Sequence, residues 1–194
     1  MITKKGALMA SPRSDNVRKL ILDTTETLLE NHKLSGLSLA TIASTAGISK
    51  GTLYYHYKTK NDILLDMMDS YLKEQFEDLI RWTDNINKDT SLHRMVKYIL
   101  ERDISTIRMR LHFFYDASLG NEEIRKQLLD RYQEFASIFT EKISKRTTRI
   151  SPEYLSWFLL ILSDGLFIHQ TIGNPMINVE EFILETARLI DAMS

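Results

Sequence analysis

"GISKGTLYYHYKTKNDIL", residues 47–64, crowds two glycines, three tyrosines, a histidine and three lysines into one short segment. A core helix does not carry that polarity, and an ordinary solvated helix does not carry that many rings. Just upstream, Ser38 is placed to cap a short helix with Leu39, Ile42, Ala43 and Ala46 on one face, and Gly47 ends it as a C′ glycine. Ile48 then turns back inward, and Ser49 caps a second short helix that reaches about His56. Two short helices joined by a Gly-containing turn read as a helix-turn-helix, whose second helix enters the major groove. Leu53 and Tyr57 lie four residues apart and face inward with Ile42, Ala43 and Ile48. Lys50, Gly51, Thr52, Tyr54, Tyr55 and His56 are left facing outward. Lysine and threonine bond base edges or phosphates, tyrosine and histidine donate to phosphates, and Gly51 lets the backbone approach closely. The segment predicts a DNA-reading surface.

Around it the pattern is helical throughout. A first helix is expected from Ser14, its N-cap, to about Asn31, with Val17, Leu20, Ile21, Thr24 and Leu28 inward. Thr59 caps a long fourth helix from Lys60 to about Trp82, with Leu64, Met68, Tyr71, Leu72 and Leu79 inward. The polar run "TDNINKDTS" marks a seam. Beyond it the pattern gives a helix from Leu92 to about Ser105 with a continuation to about Ala117, then one from Glu122, capped by Asn121, to about Lys145. Two more follow, from Ser151–Pro152 to about Ile172 and from Val179 to Met193. The expected fold is all-α with nine or ten helices: a domain at 1–59, a helical domain at 60–194, and helix 60–82 linking them.

Composition narrows the function. The chain has 194 residues, 43% apolar and 26% charged, and no cysteine, so disulfides, thiolate catalysis and Cys-based metal sites are excluded. Net charge is −1, yet residues 1–60 carry +5 and the remainder −6, which points to a polyanionic partner for the first part alone. There is no Gly-rich phosphate loop, no metal-spaced His pair and no helical His-Glu motif, and His93 and His112 stand isolated. An enzyme is not expected, nor a cofactor or metal. No apolar run approaches bilayer length and the N-terminus lacks a signal-peptide core, so the expectation is a cytoplasmic protein with no membrane partner.

Residues 37–64, "LSLATIASTAGISKGTLYYHYKTKNDIL", resemble the signature of the tetracycline-repressor (TetR) family of bacterial transcription regulators, with about a dozen positions matching in register. One local departure is Tyr57, where phenylalanine is commoner. The resemblance implies an N-terminal three-helix DNA-binding domain and a C-terminal helical domain for ligand binding and dimerisation. It implies that Lys50, Gly51 and Thr52 sit nearest the bases, and that Tyr54, Tyr55 and His56 touch phosphates or base edges. It implies further that Ser38, Thr41 and Ser49 flank the groove and that Lys60 holds a phosphate beside a helix N-terminus.

The helix from Pro152 carries two apolar stripes. Leu155, Phe158, Leu159, Leu162, Leu166 and His169 form one, and Trp157, Ile161, Gly165 and Ile168 the other. A helix apolar nearly all round is buried on both sides. With Phe182, Ile183 and Ile190 of the last helix, the second stripe is expected to form a homodimer interface, so that two reading helices meet a near-palindromic double-stranded operator. The second domain is also rich in aromatics and methionine, and Tyr98, Phe113, Tyr115, Trp157 and Asp164 are the expected lining for a small hydrophobic or cationic effector. Asp164 and Asp103 lie on apolar stripes, where a carboxylate must be paired or face a ligand, and an interhelical pair with arginine is the expected arrangement. The alternative is a helical regulator controlled by a protein partner, with no small-molecule inducer.

Overall fold

The computed structural model describes residues 12–31, 36–85, 90–101 and 107–194. Among them every regular element is a helix: α1 (Pro12–Asn31), α2 (Leu39–Thr45), α3 (Lys50–His56), α4 (Lys60–Thr83), α5 (Leu92–Glu101), α6 (Ile107–Ser118), α7 (Glu122–Ser144), α8 (Pro152–Thr171) and α9 (Val179–Met193). The chain divides into two compact units, one up to Met67 and one over Met68–Ser194, and the division falls within α4.

In the first unit α1 packs on α2 and α2 on α3 around Ile21, Leu29, Leu37, Ile42, Leu53 and Ile63, all buried. The short helices are set by their ends. Ser38 Oγ accepts from Thr41 N–H and Ser49 Oγ from Thr52 N–H, both at 3.0 Å, so each helix has its first orphan donor satisfied by an N-cap serine. Between them Gly47 takes φ +66°, while Ile48 N–H reaches Ala43 O and Gly47 N–H reaches Ser44 O. This is the Schellman arrangement, and the left-handed residue in it favours glycine.

Two expectations for α1 need correction. The helix begins at Pro12, two residues before the expected cap at Ser14, because proline suits the first turn of a helix. Its buried stripe is Ile21, Thr25 and Leu29, whereas Leu20 is exposed. Thr25 is able to join the core because its hydroxyl donates to Ile21 O at 2.7 Å. The expected helix from Leu92 is described to Glu101, and α6 begins at Ile107. Asp103 lies outside the described residues.

The second unit is built from the contacts of α7 with α8 and α6, and of α5 with α9 and α8. Its core runs through Leu79, Met95, Val96, Ile99, Phe139, Ile143, Leu155, Leu159, Ile183 and Ile190. Asn121, Ser151 and Asn178 cap α7, α8 and α9. No helix among the described residues is long and apolar enough to cross a membrane.

Candidate nucleic-acid interface

α3 is held by one buried residue of its own, Leu53, and by Tyr57 just beyond its last turn. The rest of its surface is available. Lys50, Gly51, Tyr54 and Tyr55 are exposed, with Tyr55 at 77%, and Thr52 and His56 are half-buried. Tyr55 and His56 meet edge to face, ring centroids 5.2 Å apart. The Thr52 hydroxyl lies 2.8 Å from Ser49 Oγ, and the Thr41 hydroxyl 2.9 Å from Ser38 Oγ. All four of these side chains therefore have a local hydrogen bond at the N-terminus of a short helix.

Among the described residues nothing requires a glycine at position 51. Its φ is not positive, and a Cβ built there would meet only Ser49 Oγ, at an ordinary 3.7 Å. Glycine in a helix costs about 1 kcal/mol relative to alanine.

The turn from α3 to α4 is tied at both ends. Asp62 accepts from the N–H groups of Lys58 and Thr59 at 2.9 and 2.8 Å, and Asp62 N–H donates back to Thr59 Oγ1 at 3.1 Å. This is a capping box with aspartate in the acidic position. The hydrogen bonds from Thr59 hold the Asp62 carboxyl below the usual carboxylate range. The same bonds commit two amides at the start of α4, so a phosphate there would rest on the half-buried Lys60 ammonium and the remaining N–H groups. Lys58 is turned the other way: its ammonium donates to Tyr54 O at 2.7 Å, over the carbonyl end of α3.

In the second unit a cavity opens among five helices, lined by Met68, Tyr71 and Leu72 of α4, Phe113 and Phe114 of α6, and Tyr132 and Phe135 of α7, with Ile99 of α5 and Leu160 and Ser163 of α8 closing it. Its volume is about 90 Å³, room for several waters. Arg131 is the charged residue in its wall. Its guanidinium bonds Asp69, and also Glu134 at 2.6 Å. That contact holds the Asp69 carboxyl below its usual range. Behind the wall the Tyr132 hydroxyl donates to Asp164 at 2.6 Å, so the interhelical bond seen at this carboxylate comes from a tyrosine of α7 and not from the expected arginine.

Of the residues expected to line an effector site, Phe113 is in this wall and Asp164 stands one bond behind it. Tyr98 stacks on Trp82, ring centroids 4.5 Å apart, while Tyr115 and Trp157 lie on exposed faces. Of those expected at a dimer interface, Trp157, Ile161, Ile168 and Phe182 are exposed, and a Cβ on Gly165 would meet nothing within 4 Å. Ile183 and Ile190 instead belong to the chain's own core. Met193, which the α9 periodicity placed on the same stripe, is exposed together with Phe182, and so is Leu189, which it did not single out.

Comparison with known proteins gives this geometry a context. Residues 21–67 match the family described as bacterial regulatory proteins, tetR family. The HTH-type transcriptional regulator EthR of Mycolicibacterium smegmatis is 35% identical over 71 residues, which are 37% of this chain and 33% of that protein. The chain thus spans about a third of the length of the EthR relatives it matches. Over the whole fold, a TetR transcription regulator from Haloarcula marismortui superposes with a TM-score of 0.76 at 21% identity, covering 92% of this chain and 98% of that one. A regulator from Saccharomonospora viridis, solved in complex with choline, gives 0.74 at 22%, covering 90% and 94%. These relatives are regulators, not enzymes. The helix-turn-helix region thus matches the tetR family in sequence, and the helices of the described residues match solved regulators of that family in fold.

Proposed function

We propose that the protein is a ligand-responsive transcriptional repressor that reads a near-palindromic operator as a homodimer and is released by a small hydrophobic or cationic molecule. The observation that carries the DNA half is the outward face of α3, where an internally unneeded Gly51 sits between Lys50 and Thr52 and beside exposed tyrosines. In this reading Lys50, Gly51 and Thr52 face base edges, Tyr54, Tyr55 and His56 face phosphates or base edges, Ser38, Thr41 and Ser49 flank the groove, and Lys60 holds a phosphate. Such a protein works in the cytoplasm, where the operator is.

Selection of bound duplexes from a random pool tests it. A two-fold symmetric consensus is the expected outcome. Replacing Lys60 with alanine then lowers affinity for every sequence and flattens the salt dependence by about one unit per half-site. Replacing Lys50 or Thr52 changes which bases are preferred, worth about 1–3 kcal/mol per position. Equal losses on consensus and random DNA for both kinds of variant would remove these base-reading assignments.

For the effector half, support comes from the aromatic cavity and from a family fold seen elsewhere with choline bound. α4 carries Lys60 at its start and cavity-lining Met68, Tyr71 and Leu72 further along, so it offers a continuous route between the two functions. A ligand controls DNA binding only through a differential affinity for the two states, and a coupling of about 1–3 kcal/mol suffices. Lipophilic cations, fatty acyl compounds and phenolics are the compounds to screen for operator release. Ser163→Leu, which narrows the cavity, should abolish the response to a hit while leaving operator affinity within about twofold. A response that survives this substitution places the effector elsewhere, and release by a protein with no active compound supports control by a partner.

A further inference from the structure

A reading helix of seven residues cannot hold its own orientation, and a single carboxylate in the first unit ties down what surrounds it. Asp66, in the second turn of α4, accepts three hydrogen bonds. The hydroxyl of Tyr57, the C-cap of α3, donates to Oδ2 at 2.5 Å. Arg18 of α1 donates through Nε to the same oxygen at 2.6 Å and through Nη2 to Oδ1. The guanidinium fork fixes the plane of the carboxylate, and the carboxylate in turn fixes the direction of the tyrosine. Tyr57 is only 5% exposed. Its ring alone would fill the core, whereas a hydroxyl placed there is costly unless it is bonded. Burial, and then the bond to Asp66, push the phenol well above its ordinary range, so the hydroxyl stays a donor at any working pH. With Asp62 holding Lys58 and Thr59, the chain leaving α3 is fastened at two points before α4 has completed two turns.

We propose that Arg18, Asp66 and the Tyr57 hydroxyl form a positioning latch that sets the orientation of α3, and that discrimination between operator and random DNA depends on it. The proposal rests on the DNA-reading function argued above. None of the three residues needs to touch DNA. Base-edge hydrogen bonds fail when a donor is misplaced by a fraction of an ångström, whereas lysine–phosphate attraction tolerates such shifts. Loosening the latch therefore costs specific binding and spares the non-specific kind.

Tyr57→Phe removes the latch hydroxyl and keeps the ring. The expected result is a protein that still folds, with a melting temperature lowered by only a few degrees, and whose operator affinity falls about tenfold because α3 is no longer held in its reading orientation. Affinity for random duplex and the salt slope stay as in the native protein, and the amides of residues 50–57 exchange faster with solvent. Combining Tyr57→Phe with Asp66→Asn should do no more than Asp66→Asn alone, within about twofold, since both act through one contact. Native operator affinity and native α3 exchange in Tyr57→Phe would overturn the latch. Equal losses on operator and random DNA would overturn it too, as would strictly additive effects in the double variant. If the native protein selects no duplex at all, the DNA-reading function fails instead, and the exchange of residues 50–57 still decides whether the latch orients α3.

Discussion

If the exposed face of α8 is the proposed dimer interface, Gly165→Arg should yield a folded monomer that no longer holds its operator. The fold survives because a Cβ at this position projects into open space within its own chain, and because glycine is the weaker helix former. The neighbours on that face are Trp157, Ile161 and Ile168, with Ile161 67% exposed, a concentration of apolar surface that an isolated chain has no reason to display. Pressing a guanidinium into such a face against its symmetry mate costs several kcal/mol of uncompensated desolvation, which raises the dimer dissociation constant by a factor on the order of 100 or more. A single reading head then binds without the help of its twin, and the effective-concentration gain of roughly 100- to 10,000-fold disappears. Sedimentation equilibrium beside operator titration checks both steps. A dimer that persists in Gly165→Arg, and in Phe182→Glu on α9, rules out this face as the interface.

Gly51→Ala separates the stability of the chain from its function. Inside the protein the added methyl meets only Ser49 Oγ at a normal distance, so thermal stability should hold or rise, by at most about 1 kcal/mol. If α3 lies in a groove with Lys50 and Thr52 at the bases, the same methyl occupies space that the DNA needs. Operator affinity should then fall by a factor on the order of 10 to 100. A chain that is more stable and binds worse is a signature that misfolding cannot produce. Unchanged operator affinity in Gly51→Ala would mean that α3 meets DNA with some other face.

How much of this was readable in the sequence varied with the range of the interaction concerned. Helix starts at Leu39, Lys50, Glu122 and Pro152 follow from a serine or asparagine bonding an amide three residues on, and such local chemistry is visible in a string of letters. The α1 stripe was misjudged where Thr25 hides its hydroxyl on Ile21 O and behaves as an apolar residue. The two stripes of α8 were evident, and so was the apolar face of α9, but periodicity does not say which side an own core will use. Hence Ile183 and Ile190 are internal while Leu189 and Met193 are outside. For the cavity, an abundance of aromatics was legible, but the selection among them depends on helix packing, which put Phe113 in the wall and stacked Tyr98 on Trp82 instead. The Asp66 cluster was invisible, because Arg18 and Asp66 are 48 residues apart and meet only in the folded chain.

The division of labour around α3 bears on how such a protein acquires new targets. What fastens the helix is Leu53, Tyr57, Asp62 and Asp66, and none of these belongs to the outward face. The outward residues are exposed or touch one another, as Tyr55 meets His56 edge to face. Lys50, Tyr54 and Tyr55 can therefore be exchanged at little cost to the scaffold, while replacing buried Leu53 or the bonded carboxylates of Asp62 and Asp66 disturbs it whatever the target. Mutation can walk the binding preference from one site to another through folded intermediates, and a duplicated copy of this chain would diverge first at its reading face and last at the carboxylate beneath it.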